Sequence, residues 1–482
     1  MAMAAGVPVT VIFDIGKTNK KFLLFDEAFN IVHKEQIILE QAADDDGYPC
    51  EDLNLLKNWI YRQFRSVLLN DRFQVKSLNF STYGASLVHL DDNGEVVSPF
   101  YNYLKPYPEE LAEEYYARYG GQRKLCLETA SPPLGMLNSG MQLFWLKRHK
   151  PGIFNKIRRS LHFPQYLSYL FTREFTSELT SIGCHTMLWD FKENNYHRWL
   201  EQEDVLGLLP ETQPNGAAKQ VVFEDSRFYA GPGIHDSSAA LAPYLFAFDD
   251  PFLLVSTGTW SITFNPFNKA PLLFEELQKD CLCYMNIHGE QVKASRLFLG
   301  NEYAHQMKKL NEHFNRNEEH HDLDPDPAIL KGLIEENHPG KKLELETAYN
   351  SGPCPQDNPG KWQIDDFSSF EEACHQLMLD LVTIQSESIA LAQGSDHIER
   401  LIITGGFSQN RLFVQLLAAR FPDKKVFTAS LPHASALGAA LVMNGNQKKA
   451  GLSLKELLNC RQHAPLKDTG VERYSWNKSA IS

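Results

Sequence analysis

The chain has 482 residues, of which 43% are hydrophobic and 22% charged, a composition typical of a globular protein with room for two large domains. Lys and Arg number 47 against 60 Asp and Glu, and the resulting net charge of -13 argues against a nucleic-acid backbone as partner. No stretch approaches the roughly 18 uninterrupted apolar residues of a membrane span. The start lacks a basic region, and the apolar run from Val9 stops at Asp14, so we expect no secretory signal and a cytoplasmic location.

The metal-binding residue types are scattered. Eight cysteines occur without a C-x-x-C pair, so we expect buried, reduced thiols. A polar stretch at 318–322 combines two glutamates, two histidines and an aspartate beside prolines. We interpret it as a solvated loop and not as a metal site.

In the first half, alternating and apolar runs predict strands at 9–15, 21–26, 31–39 and 75–82. An apolar face repeating every three to four residues predicts a helix over 52–70. Gly84 breaks the fourth strand, and Asp91-Asp92-Asn93-Gly94 indicates a hairpin turn. Several helices are predicted between 108 and 171.

In the second half, a buried strand at 252–256, a turn at 257–259 and a strand at 260–264 come first. A long helix begins near Ser368, where Ser368-Ser369-Phe370-Glu371 fits a capping box, and Gly394 suits its end. We predict that it is followed by a strand (401–403), a glycine turn, a helix (409–421), a strand (425–427) and a helix (435–443). The halves share one plan, which predicts two duplicated α/β domains, 1–247 and 248–482, with a cleft between them.

The first chemical motif follows the first predicted strand and reads Asp14-Ile15-Gly16-Lys17-Thr18-Asn19-Lys20-Lys21. Gly16 has no Cβ, so a phosphate can approach its backbone. Thr18 and neighbouring amides can donate to phosphate oxygens, and Lys17, Lys20 or Lys21 can neutralise charge. Asp14 can hold a metal ion or its water. Taken alone, the motif also fits a plain turn.

Two more turns follow buried strands in the second half: Ser256-Thr257-Gly258-Thr259-Trp260-Ser261 and Ile403-Thr404-Gly405-Gly406-Phe407-Ser408-Gln409-Asn410. The turn at 256–261 has the shape of the 14–21 motif. Facing each other, the 256–261 turn and the 14–21 motif would clasp a polyphosphate from both sides. The turn at 403–410 runs into a helix, whose free amides suit a phosphate or ribose. A hydroxyl-rich hairpin and a helix-capping turn remain the alternatives. Neither a Walker A loop nor a G-x-G-x-x-G fingerprint is present.

The fourth motif is Gly231-Pro232-Gly233-Ile234-His235-Asp236-Ser237-Ser238-Ala239-Ala240. A glycine-rich segment presents His235 and Asp236 at the start of a helix of small residues. Asp236 suits the N-cap position. It also suits a general base, because phosphoryl transfer to a hydroxyl needs a carboxylate that orients the hydroxyl and accepts its proton.

Taken together, the four motifs resemble those of the FGGY carbohydrate kinases over about residues 9–443. The segments 233–239 and 256–261 look like the rhamnulokinase and fuculokinase versions. The segment 405–410 resembles the adenosine-binding turn, 434–440 the closing helix, and 138–147 a first-domain segment. The resemblance implies an α/β fold of two actin-like/hexokinase-like (ribonuclease H-like) domains with an interdomain cleft.

The resemblance further implies transfer of the ATP γ-phosphate to a sugar hydroxyl with Mg²⁺. Asp236 would be the catalytic base and Asp14 would manage the metal. The implied nucleotide-binding residues are Gly16, Thr18, Lys21, Thr257, Gly258, Thr259, Gly405, Gly406 and Asn410. The implied sugar-binding residues are Thr82, Tyr83, Gly84, His235 and Asp236. Sugar and ATP would be the partners, and a homodimer is left open because many relatives are dimers.

Three departures from the family pattern concern the ligand contacts. The chain has Ser86 where the rhamnulokinase-like pattern has Asp, and Tyr101-Asn102-Tyr103 replaces a Tyr-Arg-Asp stretch. Both changes remove hydroxyl-binding groups, so the sugar is not fixed as rhamnulose. Lys17 and Asn19 stand where many relatives carry Thr and Ser, which changes the donors of the phosphate turn.

The leading hypothesis is a kinase for a ketose or deoxy-ketose, similar to rhamnulose, fuculose or xylulose, in carbohydrate catabolism. The first alternative is a non-catalytic sugar- or nucleotide-binding regulator on the same scaffold. The presence of Asp236 argues against this regulator, whereas the altered sugar-side residues argue for it. The second is an actin-like or chaperone ATPase, which the His235-Asp236 element disfavours.

Overall fold

The computed structural model describes residues 6–316, 324–345, 359–443, 454–467, 469–471 and 474. The stretch 318–322, interpreted above as a solvated loop, lies outside the described residues. The chain divides into two compact units. The first contains Met1–Asp249, Cys283–Gln291 and Pro432–Leu454, and the second contains Asp250–Leu282, Val292–Leu431 and Lys455–Ser482.

Up to Asp249 the chain alternates strands and helices. The strands are β1 (Val7–Ile15), β2 (Lys20–Phe25), β3 (Ile31–Ile37), β4 (Gln41–Ala43), β5 (Pro49–Glu51), β6 (Phe73–Thr82), β7 (Leu87–Leu90), β8 (Arg159–His162), β9 (Ser177–Glu178), β10 (Trp189–Asp190), β11 (Asn195–Tyr196), β12 (Thr212–Gln213), β13 (Lys219–Phe223), β14 (Ser226–Ala230) and β15 (Ile234–His235). The helices are α1 (Leu53–Leu68), α2 (Glu109–Arg118), α3 (Gln122–Glu128), α4 (Ser139–His149), α5 (Pro151–Phe154), α6 (Phe163–Thr172), α7 (Leu179–Ile182), α8 (Trp199–Gln202) and α9 (Asp236–Ala247).

From Asp250 onward the chain again alternates strands and helices, and its helices include the longest of the described chain. The strands are β16 (Phe252–Thr257), β17 (Ser261–Asn265), β18 (Cys281–Met285), β19 (Gln291–Leu297), β20 (Arg400–Gly405), β21 (Lys425–Thr428) and β22 (Arg461–His463). The helices are α10 (Phe274–Gln278), α11 (Leu299–His313), α12 (Pro327–Glu336), α13 (Phe370–Gln393), α14 (Arg411–Arg420) and α15 (Ala434–Leu441).

The main sheet of the first unit has the order β13-β14-β6-β1-β2-β3, with β15 pairing against β6. Strands β1, β2 and β3 form an antiparallel meander, whereas β6 runs parallel to β1. Helix α1 begins after Asp52, whose side chain accepts hydrogen bonds from two amides of the first turn. Its apolar face packs on the sheet, with the rings of Phe13 and Trp59 5.5 Å apart.

The second large sheet has the order β18-β19-β17-β16-β20-β21-β22. Strand β17 is antiparallel to both β16 and β19, and β20 runs parallel to β16. Strands β16, β17, β19 and β20 therefore repeat the arrangement of β1, β2, β3 and β6. The predicted similarity of plan between the halves is seen in the strand order, and the predicted α/β class is confirmed.

The long helix α13 begins one residue later than the predicted capping box. Ser369 is the N-cap, and its hydroxyl accepts a hydrogen bond of 3.1 Å from the Glu372 amide. The Glu372 carboxylate accepts in turn from the Ser368 amide at 2.8 Å. The prediction on Ser368 and Glu371 is wrong because paired serines and paired glutamates fit the motif in two registers.

The turn predicted at 91–94 forms, but its hairpin does not extend. The Gly94 amide donates to the Asp91 carbonyl at 3.1 Å, and beyond the turn only a single bridge, Leu90 to Val96, continues the pairing. Strand β7 pairs with β8 instead. The sequence signal for the turn is local, whereas the strand partner is chosen by the whole sheet.

The cysteines of the described chain are mostly buried, as expected. Among the described residues no disulfide joins two cysteines: Cys460 is half-buried, Cys354 lies outside the described residues, and the other six are buried. None of the helices that the structure describes is both long and apolar enough to cross a bilayer.

Candidate active site

Asp236 lies where a strand gives way to a helix in the first unit. Strand β15 pairs in parallel with the end of β6, which places His235 opposite Thr82. The chain stays extended through His235, so His235 is the N-cap and Asp236 is the first residue of α9. The prediction of Asp236 as N-cap is therefore wrong by one residue. An acidic group in the first turn is still favoured by the helix dipole.

The carboxylate of Asp236 has an unusual proton affinity. Burial raises its pKa to about 7, and the negative charge of Asp14 adds to the rise. The side chain nevertheless keeps 34% of its surface accessible, so an incoming hydroxyl can reach it. A carboxylate with a pKa near neutrality is well matched to accepting a proton during catalysis.

His235 contacts Asp236 directly, with its Nε2 3.3 Å from Oδ1. The imidazole is 3% exposed, and burial lowers its pKa to about 3, so it is neutral near pH 7. The ring stacks on Tyr284, with centroids 5.6 Å apart and planes inclined by 25°. The aromatic contact and the carboxylate hold the ring at the start of α9.

Gly84 makes room for this histidine. A Cβ at position 84 would lie 2.8 Å from the Cys184 sulfur and 3.0 Å from the His235 ring. Of the other predicted sugar-side residues, Thr82 is buried and donates its hydroxyl to the Tyr83 carbonyl at 2.8 Å. The structure thus brings Gly84, His235 and Asp236 together, while the Thr82 hydroxyl is used within the protein.

Tyr83 is enclosed by the loop after β1. Its amide donates to the Ile15 carbonyl at 3.2 Å, and the Lys17 ammonium lies 5.5 Å from its ring centre. Burial holds the pKa of its phenol well above the usual range, and Glu51 strengthens this effect. The phenol oxygen has no hydrogen-bond partner among the described residues.

Asp14, the predicted metal residue, is the next-to-last residue of β1 and is 4% exposed. The Lys21 ammonium lies 3.2 Å from Oδ2, and the Ser435 hydroxyl donates to Oδ1 at 3.0 Å. Lys21 and Asp14 face each other across the β1–β2 pair because they are opposite in register. Sequence reasoning placed Ser435 only in a helix motif, and nothing local indicates its contact with Asp14.

The buried side chain of Lys20 stabilises the turn between β1 and β2. Lys20 is buried, and its ammonium donates to the Gly16 and Lys17 carbonyls at 3.0 and 2.9 Å and to Glu51 at 2.9 Å. Lys20 is therefore buried and occupied, whereas the side chains of Lys17 and Lys21 remain partly accessible, at 23% and 26%. Thr18 is exposed at the tip of this turn, with the Gly16 amide bonded to the Asn19 carbonyl.

In the second unit, Thr257 ties together the two glycine-containing turns. Its hydroxyl donates to the Thr404 carbonyl at 2.5 Å and accepts from the Phe407 amide at 3.0 Å. Gly405 has a φ of +84°, and a Cβ there would lie 1.8 Å from the Thr257 carbonyl oxygen. Only glycine fits this crossing. Gly406 beside it faces open space.

The turn at Gly258 and Thr259 rests on the start of α11. The Asn301 amide donates to the Thr259 carbonyl at 3.2 Å. A Cβ on Gly300 would lie 1.8 Å from the Gly258 carbonyl oxygen. Sequence reasoning missed Gly300. The available signal was a glycine in the first turn of a helix, where it costs stability unless close packing requires it.

Asn410, predicted to bind nucleotide, is the N-cap of α14. Its side-chain oxygen accepts from the Phe413 amide at 2.9 Å. One end of this side chain therefore holds the helix, and the Phe407 and Asn410 amides of the preceding turn are bonded to the Thr257 hydroxyl and the Phe407 carbonyl.

A second group of possible metal ligands lies elsewhere in the first unit, at Glu128, Asp190 and His197. His197 Nδ1 accepts a hydrogen bond from the Trp199 amide at 3.2 Å, so Nε2 carries the hydrogen. Nε2 lies 3.1 Å from Glu128 and is occupied as its donor. This geometry fits a structural pair better than a metal ligand, which needs a free imidazole lone pair.

Family models match both halves of the chain. Residues 9–215 match the model of the N-terminal domain of the FGGY family of carbohydrate kinases. Residues 249–451 match that of the carbohydrate kinase FGGY C-terminal domain. These matches include most of the chain, and the protein belongs to the FGGY family of carbohydrate kinases.

Similar proteins include a rhamnulokinase from Halalkalibacterium halodurans, 25% identical over 268 residues, which are 52% of each chain. A xylulose kinase from Staphylococcus epidermidis is 23% identical over 271 residues, also 52% of each chain. An L-fuculokinase from Haemophilus influenzae is 21% identical over 191 residues, 37% of this chain and 39% of the other. The chain spans about half or less of the length of these relatives.

Solved structures share the fold over nearly the whole chain. A carbohydrate kinase from Novosphingobium aromaticivorans has a TM-score of 0.77 at 23% identity, covering 97% of this chain and 99% of the other. A ligand-bound xylulose kinase from Lactobacillus acidophilus has a TM-score of 0.75 at 14% identity, covering 98% and 96%. The two-domain actin-like fold inferred from the motifs is confirmed.

Proposed function

We propose that this protein transfers the γ-phosphate of ATP to a hydroxyl of a ketose or deoxy-ketose, with Asp236 as the general base. The observation that carries the proposal is the Asp236 carboxylate, which is partly accessible, contacts His235 and has its pKa raised to about 7. A structural cap alone would need neither the raised pKa nor the nearby carboxylate of Asp14. Membership in a family of carbohydrate kinases supports the same chemistry.

In the proposed reaction the sugar hydroxyl donates a hydrogen bond to the Asp236 carboxylate. The hydroxyl oxygen forms a bond to the γ-phosphorus while the bond from that phosphorus to the β–γ bridging oxygen breaks. ADP leaves with the bridging oxygen, and the hydroxyl proton passes to Asp236. His235 orients the carboxylate without adding charge, since its imidazole is neutral.

The residues of the first unit also suit a magnesium ion. Asp14 raises the pKa of Asp236, which means that the two carboxylates repel each other. A hard divalent cation with oxygen ligands relieves such repulsion. Asp14 would hold the ion, and Lys21 and Ser435 would keep its carboxylate oriented. When bound, Mg²⁺ supplies charge neutralisation for the phosphate oxygens.

For the nucleotide we propose the turns of the second unit, with Thr257, Gly258, Thr259, Gly405, Gly406 and Asn410. Their support is the close crossing of Gly405 over Thr257 and the open space beside Gly406. Gly16, Thr18 and Lys21 of the first unit are proposed as phosphate-binding residues. Thr18 and the turn around Gly16 are accessible at the end of the β1–β2 hairpin.

For the sugar we propose contacts with Gly84, His235, Asp236, Tyr83 and Thr82. The altered position Asn102 is not free to replace the missing arginine. Its side chain donates to the Pro49 carbonyl at 2.8 Å and accepts from the Leu104 amide at 3.0 Å. This use of Asn102 favours a sugar other than rhamnulose, since a hydroxyl contact is lost there.

The test is ADP release by the purified protein with Mg-ATP and a panel of ketoses, deoxy-ketoses and polyols. We expect one sugar to raise the rate far above the background without sugar. A flat panel would reject the kinase. Sugar or ATP binding in calorimetry would then point to the regulator, and ATP turnover indifferent to every sugar would point to an actin-like ATPase.

A further inference from the structure

Glu178 is a fully buried carboxylate in the first unit. It is the second residue of β9 and stands directly before α7, with 0% exposure. Burial raises its pKa to about 7. No lysine, arginine or histidine pairs with it among the residues that the structure describes. Burying a carboxylate without a paired cation costs free energy, so the hydrogen bonds to this group must compensate for the missing cation.

All the hydrogen bonds to Glu178 come from the residues that follow it. Its oxygens accept from the Thr180 amide at 2.8 Å and from the Ser181 amide at 3.2 Å. The Thr180 hydroxyl donates to Oε2 at 2.5 Å. The two amides are the usual bonds of a helix cap, but the hydroxyl bond goes beyond what α7 needs.

The Thr180 hydroxyl connects this carboxylate to the proposed active site. Its oxygen accepts a hydrogen bond of 3.0 Å from the backbone amide of His235, 55 residues away. A hydroxyl has one hydrogen, and Glu178 takes it, so a lone pair is left for the His235 amide. The direction of both bonds is therefore set by the carboxylate.

His235 is the residue whose backbone leads into Asp236. Its amide belongs to the N-cap of α9, where no helix carbonyl is available as partner. The bond to Thr180 thus fixes the main chain one residue before the base. The side-chain contact of His235 with Asp236 at 3.3 Å depends on the same placement.

We propose that Glu178 and Thr180 form a positioning pair that holds the His235 backbone and so aims the Asp236 carboxylate at the acceptor hydroxyl. This inference rests on the proposed function of Asp236 as general base. Neither residue touches the reacting atoms in this scheme. A base displaced by about 1 Å loses up to roughly 10²-fold in rate, so the pair is expected to affect turnover more than binding.

The variants are chosen to separate positioning from stability. Thr180→Val removes the hydroxyl at nearly constant shape, and Thr180→Ser restores it. Glu178→Gln turns a donor group toward the Thr180 oxygen. The matched control is Thr129→Val, since the Thr129 hydroxyl is also buried and donates to a backbone carbonyl, that of Leu125, at 2.8 Å.

The first measurement is backbone hydrogen exchange of the peptide containing residues 234–240 in the full-length protein. Thr180→Val is expected to speed exchange of this peptide, Thr180→Ser to restore protection, and Thr129→Val to leave it unchanged. Exchange in Thr180→Val equal to that of the wild type would overturn the proposed link, whether or not the protein is a kinase.

The second measurement is steady-state kinetics with the sugar identified in the panel. We expect kcat of Thr180→Val and Glu178→Gln to fall about 10-fold to 100-fold, with KM for ATP and sugar within about 3-fold. Thr180→Ser should recover most of kcat. Equal losses in Thr129→Val would show a general effect of stability and reject positioning. Faster exchange together with no sugar turnover in the wild type would reject the kinase alone and leave the link standing.

Discussion

The Ser435 hydroxyl donates a 3.0 Å hydrogen bond to Asp14, although 421 positions separate the two residues. Ser435 lies in α15, which belongs to the first unit together with β1. The chain leaves this unit after Asp249, and its later return at Pro432–Leu454 brings in a residue that orients the proposed metal ligand. A partner of this kind usually tunes a ligand's affinity for its metal.

Replacement of Ser435 is therefore expected to weaken the metal dependence. In Ser435→Ala the Asp14 carboxylate keeps Lys21 but loses its hydroxyl donor, so half-saturation by Mg²⁺ should need about 10-fold more metal. A magnesium titration of ADP release at saturating sugar and ATP measures this. Ser66→Ala removes an exposed hydroxyl in α1 and is the control. An unchanged titration in Ser435→Ala would contradict the proposed role of Ser435 in orienting the Asp14 carboxylate.

Turnover should follow the ionisation of Asp236. Because only the ionised carboxylate accepts the proton, kcat is expected to rise with pH through about 7. Asp236→Asn should lower kcat by about 10²-fold or more and remove this limb, with ATP affinity nearly unchanged. The pH–rate profile and ATP calorimetry of both proteins test this. Wild-type-like turnover of Asp236→Asn would exclude the base assignment.

The same carboxylate should make stability depend on pH. Its pKa is raised in the folded state, so its favourable contribution is complete below the unfolded pKa of about 4 and is lost as pH rises through about 7. The Asp236→Asn variant does not show this loss of stability, because its side chain does not ionise. The melting temperature of Asp236→Asn relative to wild type should therefore be higher at pH 8 than at pH 4. A difference independent of pH would show that the folded-state pKa is not raised.

Gly84 should tolerate no side chain. In Gly84→Ala the new methyl group would meet the Cys184 sulfur at 2.8 Å and the His235 ring at 3.0 Å. Such overpacking costs about 1–3 kcal/mol of unfolding free energy and displaces the histidine, so turnover should fall as well. Gly152→Ala, where the methyl group faces open space, is the control. Urea unfolding and kcat are the measurements, and equal behaviour of the two variants would refute the close approach.

Two glycines of the second unit separate ligand crowding from protein strain. A Cβ on Gly258 finds no protein atom closer than 3.8 Å, so Gly258→Ala should fold normally and only weaken ATP binding. A Cβ on Gly300 would lie 1.8 Å from the Gly258 carbonyl, so Gly300→Ala should lose both stability and ATP affinity. Calorimetry with ATP and thermal unfolding test both, against Gly332→Ala in α12. Normal ATP affinity in Gly258→Ala would remove this turn from the site.

Local patterns were enough to predict much of the fold. The strands β1, β6 and β16 and the helix α1 lie within a few residues of their predicted bounds, because hydrophobic spacing and caps are written in neighbouring residues. The one-residue error at Ser369 arose because the cap signal was ambiguous. The one at Asp236 arose because a strand pairing extends the chain through His235. The single bridge at Val96 reflects a pairing decided by distant residues.

The sequence by itself determined the family and the order of the four motifs, and from it Asp236 and Asp14 were predicted to be the acidic groups of the site. Only the tertiary structure decided how they are tuned: the pKa of Asp236, the bond from Ser435 to Asp14, the close packing of Gly84 and Gly300, and the link from Glu178 to His235. The physical reason is the separation along the chain between the residues that interact. Motifs depend on residues adjacent in the chain, whereas burial, repulsion between carboxylates and steric contact depend on residues that only folding brings together.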